Sequence, residues 1–378
     1  MVPTSNTPKS LTDYRIIPDE TWVIKAVAII AMLFHHLFYR HPEFGNTIVN
    51  VSVAGKVCVA IFVFLSGYGM AISFPWASQN NAKTFFFVLC KRFAKFFLNY
   101  WFIFFIAIPI GIFFFGRSLE TAYENHDIIK SFFKDIIGQQ GYFSYNGTWW
   151  FNAIILALWI FFPFLYLFLK NKFISIAFLI FLCINPNDIL YSLHFIATDL
   201  PSYILPFSLG IFIALHINAI NRVLNFIHPY IILGLSLIVG IILLYLRAIP
   251  VFTDFTKFKV DPYATVFVAL AVVSLCRVTG WRFAFMQYVG KHSMNMYLTH
   301  TFIFGYFFAD FIYGFKYPIF IFLALFATSL LLSICIEFVK RRIGFYKLLG
   351  KVVDIINRVG GLIPKENNRE KDLTNLSE

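Results

Sequence analysis

Long apolar runs separated by short polar segments fill this chain almost from end to end. The runs lie at 22–38, 51–74, 96–116, 149–169, 173–186, 203–217, 229–246, 263–280, 294–313 and 319–338. A helix rises about 1.5 Å per residue and a bilayer's hydrocarbon core is about 30 Å thick, so roughly 20 apolar residues suffice to cross it. In lipid a segment must satisfy its own backbone hydrogen bonds, which makes each run a predicted helix. The expected fold is all-α: a polytopic integral membrane protein of about ten transmembrane helices. The runs at 173–186 and 203–217 are short for a full crossing and predict tilted or internally buried helices.

Lys and Arg between the runs set the orientation. Lys9 and Arg15; Lys83, Lys91, Arg92 and Lys95; Lys170 and Lys172; Arg222; Arg277, Arg282 and Lys291; and a tail opening with Lys340, Arg341 and Arg342 fall on one side. Arg40, Arg117, Lys130, Lys134, Arg247, Lys257, Lys259 and Lys316 fall on the other. The bias predicts both termini in the cytoplasm. The expected division is a cytosolic segment 1–20, a transmembrane domain 21–340 and a tail 341–378. Within the tail, 343–359 mixes Phe345, Leu348, Leu349, Val352, Val353 and Ile356 with Lys347, Lys351 and Arg358, the pattern of an amphipathic helix on the inner leaflet. Residues 365–378 are polar and predict disorder. Residues 117–148 form a long outward loop.

Composition agrees with burial in lipid. Of 378 residues, 59% are hydrophobic and 13% charged, and 50 are Phe; the mean hydropathy is +0.74. A soluble domain carries about 25% charged residues. The net charge of +12 is spread between apolar runs, which does not make a nucleic-acid surface. Five cysteines, Cys58, Cys90, Cys183, Cys276 and Cys335, stand singly, without metal-ligand spacing, and read as inert thiols. The run 26–34 is followed by His35, His36, Tyr39, Arg40 and His41 rather than small residues, so it reads as a retained first span.

Ionisable groups in a membrane are expensive and point to function. In the first span, the step from Lys25 to His36 comes within about 20° of three full helical turns, placing both on one face about 16 Å apart along the axis. His35 points about 80° away from Lys25. Adjacent His side chains diverge on a helix and make a poor chelate, so no metal is expected. In the ninth span, Ser293, Tyr297 and His300 are spaced to share one face. Lys91, Arg92 and Lys95 form a basic second loop, read either as positive-inside signage or as a clamp for a phosphorylated ligand. Lys56 lies inside the second span and reads as snorkelling outward. Trp149 and Trp150 suit an interfacial aromatic belt, while Asn152 is harder to explain that way.

Together these residues resemble the bacterial membrane acyltransferase-3 family, whose members O-acylate cell-surface glycans. The resemblance covers 20–340. It rests on a basic residue followed after ten positions by His (Lys25, His36), on Val-Ala-Ile-Phe-Val-Phe-Leu-Ser-Gly-Tyr at 59–68, on the basic pair Arg92 and Lys95 ahead of Tyr100 and Trp101, and on Ser293, Tyr297, Leu298 and His300. Lys25 and Lys95 stand where the family usually has Arg, which exchanges a bidentate fork for a point charge. The esterase-like domain that some members append is not expected within these residues.

The resemblance implies acyl-CoA, most often acetyl-CoA, as donor, with no permanently bound cofactor. It implies a glycan or lipid-linked glycan as acceptor, membrane lipids as surroundings and the inner (plasma) membrane as location. Lys25, Arg92 and Lys95 are then the expected partners of the CoA phosphates, and the thioester is expected between the first and ninth spans. Acyl transfer to a hydroxyl needs a base near neutrality, which His supplies. His36 is the expected base or transient acyl carrier, with His300, Tyr297 or Ser293 orienting it or steadying the oxyanion. A transporter or flippase for a lipid-linked glycan is the competing class; it needs no acyl-CoA and often shows repeat symmetry, which the sequence lacks.

Overall fold

The structure is a computed structural model describing residues 13–78, 82–124, 126–139, 144–184, 199–249 and 254–360. The polar tail at 365–378, Lys9 and the loop residues 141–143 lie outside the described residues. The described chain is helical, in the order α1 (Pro18–Phe38), α2 (Asn46–Ala54), α3 (Val57–Ser78), α4 (Ala82–Phe115), α5 (Leu119–Tyr123), α6 (Ile128–Ile136), α7 (Trp150–Lys170) and α8 (Lys172–Ile184). It continues with α9 (Leu200–Leu224), α10 (Pro229–Ala248), α11 (Asp254–Thr279), α12 (Ala284–Thr301), α13 (Ala309–Tyr313), α14 (Pro318–Arg342) and α15 (Phe345–Gly360).

Among the described residues, eight helical stretches are long and apolar enough to cross a bilayer: Pro18–Phe38, Asn46–Phe74, Phe85–Phe115, Gly147–Lys170, Leu200–Leu224, Pro229–Ala248, Val260–Thr279 and Pro318–Arg342. Phe113, Leu167, Phe173 and Ile241 are exposed on these helices or on α8. Large rings and branched chains turned outward in such numbers are stable against lipid, not water. The chain is an all-α, multi-pass membrane protein.

Two of the expected spans take other forms. The run at 173–186 is the 13-residue α8, and the run at 203–217 lies within the 25-residue α9, which is long enough to cross. The ninth span begins earlier than its apolar run, at Ala284, and passes after Thr301 into a π-helical stretch, Phe302–Phe307. Its polar face lowers the local hydropathy and hides the helix start. The second span is interrupted at Gly55 and Lys56, between α2 and α3.

The basic segment at 91–95 is not a loop. It lies inside α4, a 34-residue helix about 50 Å long. Residues 96–115 alone match the hydrocarbon thickness, so the preceding turns carry the cations beyond it without breaking the helical hydrogen bonds.

The chain divides into two compact units. The first comprises Met1–Ala71, Pro163–Tyr191 and Pro201–Ser293. In it α10 packs along α11, and α2 packs on both α1 and α10. Pro18 opens α1, and the Glu20 carboxylate accepts from the Ile17 N–H at 2.9 Å, closing the first turn. Glu20 also receives both Nε (2.7 Å) and Nη2 (3.2 Å) of Arg277, with both side chains buried. This fork staples α1 to α11. A Cβ on Gly290 would overlap the Trp22 carbonyl, so α12 meets the first turns of α1 backbone to backbone.

The second unit comprises Ile72–Phe162, Ser192–Leu200 and Met294–Glu378. Its aromatic core runs through Phe96, Trp159, Tyr100 and Trp149, with ring centroids 5.8 Å apart for Phe96–Trp159 and 5.2 Å for Tyr100–Trp149. Trp149 is fully buried and its Nε1–H donates to the Leu298 carbonyl at 3.0 Å. It is a core residue, not part of an aromatic belt, because its single polar atom finds a backbone partner. The amphipathic helix α15 packs on α4 and α14, burying Phe345 and Leu349 and leaving Leu348, Ile355 and Val359 exposed.

Candidate active site

In the first unit, α1 is unbroken from Pro18 to Phe38, so Lys25 and His36 keep the shared helical face that their spacing predicts. Lys25 Nζ sits 4.5 Å from the centre of the Trp22 ring, a cation–π contact at the start of the helix. His36 is half-buried, with the Tyr39 ring edge-on at 6.1 Å. His35 plays a different part: it is buried, and its Nδ1 bonds the Ser52 carbonyl at 2.8 Å, joining α1 to α2. Ser293, buried on α12, lies one turn beyond the Gly290–Trp22 crossing and belongs to this unit.

In the second unit, α12 presents Tyr297 and His300, both buried, with ring centroids 6.5 Å apart. His300 Nδ1 faces the carbonyls of Tyr297 at 2.8 Å and Met296 at 3.2 Å. Carbonyl oxygens only accept, so Nδ1 carries the hydrogen and Nε2 is the basic nitrogen. Nε2 lies 3.4 Å from Thr301 Oγ1, which lies 2.8 Å from Thr148 Oγ1. Thr148 donates its hydroxyl to Asn146 Oδ1 at 2.8 Å, and its backbone N–H reaches the same oxygen at 3.1 Å. With the Thr148 hydrogen committed, the hydrogen between the two threonines belongs to Thr301, so Thr301 Oγ1 and His300 Nε2 approach each other as two acceptors with no hydrogen between them. Tyr297 Oη lies 3.1 Å from the Thr148 carbonyl and 3.3 Å from Asn152 Oδ1. A polar seam thus runs through an aromatic core: His300, Thr301, Thr148 and Asn146 on one branch, Tyr297 and Asn152 on the other.

The candidate cations of α4 sit in the same unit. Arg92 is half-buried, its guanidinium 5.4 Å from the centre of the Trp159 ring, whereas Lys95 is exposed. The structure therefore brings Tyr297 and His300 together, and places Lys25, His36 and Ser293 in one unit and Arg92 and Lys95 in the other.

Sequence reasoning singled out Asn152 but missed Thr148, Thr301 and Asn146, whose partnerships cross up to 153 residues of chain. The π-helical stretch after Thr301 was also silent, although such bulges recur at functional sites. Three charges expected in loops or tail are buried. Arg247, on the last turn of α10, is 2% exposed and pairs with Asp261. Arg277 pairs with Glu20. Lys340 is fully buried on α14, where it donates to Asn99 Oδ1 at 2.9 Å and to Asn295 Oδ1 and Glu337 Oε1 at 3.1 Å. Cys335 is exposed, unlike the other thiols.

A family model described as an acyltransferase domain, Acyl_transf_3, matches residues 22–338, and the chain belongs to this acyltransferase-3 family. It is a membrane acyltransferase. No curated protein and no solved structure matches it.

Proposed function

We propose that this membrane acyltransferase moves an acetyl group from acetyl-CoA, or another acyl group from its CoA thioester, onto a hydroxyl of a cell-surface polysaccharide or its lipid-linked precursor, in the inner (plasma) membrane. The observation that carries the reading is the acyltransferase family match over residues 22–338, beside a fully buried His300 whose Nδ1 is held by two backbone carbonyls. In acyl transfer the hydroxyl oxygen attacks the thioester carbonyl, an imidazole takes the hydroxyl proton, the C–S bond breaks, and the imidazolium returns the proton to the departing thiolate. His36 is our candidate for that base, or for a transient acyl carrier. His300, Tyr297 and Ser293 orient the reacting groups and steady the oxyanion. Lys25, Arg92 and Lys95 are the candidate partners of the CoA phosphates.

The test follows label from radioactive acetyl-CoA in membranes containing the wild type or His36→Ala. Wild-type membranes transfer label to the glycan fraction. His36→Ala membranes, with the protein present at wild-type level, do not. Label accumulating on the protein identifies the carrier route. Transfer retained by purified His36→Ala protein removes His36 from the chemistry, and glycan movement without acetyl-CoA dependence replaces the enzyme reading with transport.

A further inference from the structure

A second polar cluster lies in the first unit. Arg247 closes α10 and Asp261 lies on α11; their side chains are 2% and 3% exposed and share one hydrogen bond, from Arg247 Nε to Asp261 Oδ1 at 2.8 Å. A buried ion pair repays its desolvation only when its remaining donors and acceptors are also satisfied. Here they are not. Arg247 Nη1, Asp261 Oδ2 and the Thr265 hydroxyl are all buried without a protein partner. Asp261 and Thr265 are four residues apart on one face of α11, so these open positions are neighbours.

The chemistry of the open atoms selects their ligand. An anion would meet Asp261 Oδ2, a cation would meet the Arg247 guanidinium, and an apolar group would leave every one of the three atoms unsatisfied. A neutral hydroxyl does both jobs: it accepts from Nη1–H and donates to Oδ2. An adjacent second hydroxyl suits Thr265 Oγ1. α2 packs on α10 and also on α1, where Ser52 holds His35 beside His36, so the cluster is built around the same short helix as the candidate base. With both termini inside, as the Lys and Arg bias predicts, the ends of α1 and α10 that carry His36 and Arg247 would face outward.

We propose that Arg247, Asp261 and Thr265 form a binding site for vicinal hydroxyls of a sugar, and that this is where the acceptor glycan is held. The identification of the ligand as acceptor rests on the acyl-transfer reading above; the sugar site itself does not.

The experiment uses the full-length protein in detergent, without acyl-CoA, and reads saturation-transfer NMR from protein to the methyl glycosides of glucose, galactose, mannose and N-acetylglucosamine. The wild type is expected to saturate ring protons of at least one glycoside. Asp261→Asn weakens that binding about tenfold and Thr265→Val a few-fold, as expected when a hydroxyl loses a buried partner. Thr265→Val removes an unpartnered polar atom and so keeps the fold intact even if Asp261→Asn does not. Wild-type protein that binds none of the four glycosides, or folded Thr265→Val and Asp261→Asn proteins that bind them unchanged, overturns the site, whose three atoms then hold water only. Because no acyl-CoA is present, failure here is separate from failure of the labelled-acetyl test.

Discussion

Thr148 and Thr301 meet Oγ1 to Oγ1 at 2.8 Å across 153 residues of chain, and through this contact the loop entering α7 is tied to the end of α12 that carries His300. His300 Nε2 lies 3.4 Å from the same Thr301 oxygen, a polar contact rather than a further link in the hydrogen-bonded chain. Removing the Thr301 hydroxyl should therefore disturb chemistry more than folding. Thr301→Val keeps the branched shape and forfeits one hydrogen bond, a cost of about 1 kcal/mol. The expected result is a nearly unchanged melting temperature with a fall in kcat and little change in KM for acyl-CoA. An equal loss with Thr148→Val would show that the threonine pair acts as a unit; a change confined to KM for the donor would remove the seam from the chemistry.

The cations proposed for the donor make a separate prediction. Alanine at Arg92 or Lys25 should raise KM for acyl-CoA, with the effect shrinking for a dephosphorylated pantetheine thioester that lacks the nucleotide phosphates. Arg binds phosphate as a fork and Lys as a point charge, so Lys25→Arg should lower the donor KM. Because Lys95 is exposed and Arg92 half-buried, added salt should blunt the effect of Lys95→Ala more than that of Arg92→Ala. Equal KM changes for both thioesters would exclude phosphate recognition.

What the sequence disclosed, and what it concealed, follows the range of each interaction. Crossing helices were legible because their determinants are local: apolar runs and the obligation to satisfy backbone groups in lipid. The Lys25–His36 face and the Ser293–Tyr297–His300 face were legible for the same reason, since helical period is a property of neighbours. Arg247 and Lys340 were misplaced because a cation near the end of an apolar run looks interfacial until its partner is known. Asp261 and Glu337 supply those partners only after folding. Trp149 reads as a belt residue in the sequence because a Trp pair at a helix start has the same composition in either role; only the Leu298 carbonyl distinguishes them. The α4 cations looked like a loop because lost hydropathy was equated with lost helix.

A buried carboxyl in the segment between α4 and α7 gives a pH prediction. Asp135 is 1% exposed, and its Oδ2 accepts from the Tyr145 N–H at 2.8 Å and the Tyr123 hydroxyl at 3.1 Å. Burial outweighs these two bonds and pushes its pKa up to about 7 from 3.8. The folded loop thus holds a proton that the unfolded loop releases, and ionisation favours unfolding. Its stabilisation is complete below roughly pH 4 and is lost as pH rises through about 7. Hydrogen exchange over 128–136, corrected for its intrinsic pH dependence, should show protection falling across that window in the wild type and staying level in Asp135→Asn. Matching slopes in the two proteins would place the titration elsewhere.

The Lys340 network makes the strongest stability prediction. Lys340 gives its three ammonium hydrogens to Asn99, Asn295 and Glu337, the Asn295 amide donates to Glu337 at 2.8 Å, and the Tyr346 hydroxyl bonds the second Glu337 oxygen. The Phe102 and Phe345 rings lie 5.5 and 5.4 Å from Nζ. The ammonium therefore joins α4, α12 and α14, and Asn295 stands two residues before Tyr297. Lys340→Met strands a carboxylate and two amide oxygens, and because Glu337 is partly exposed the cost sits at the low end of that for breaking a buried pair, about 3 kcal/mol. Glu337→Leu alone strands the ammonium, which is fully buried, and should cost at least as much. The double variant removes both charges and should recover most of the loss, since paired burial of opposite charges gains little over apolar packing. Thermal unfolding of the three variants in one detergent decides the matter: a double variant no better than the sum of its parts would mean that the two residues act independently and that α12 is held in register by its apolar contacts instead.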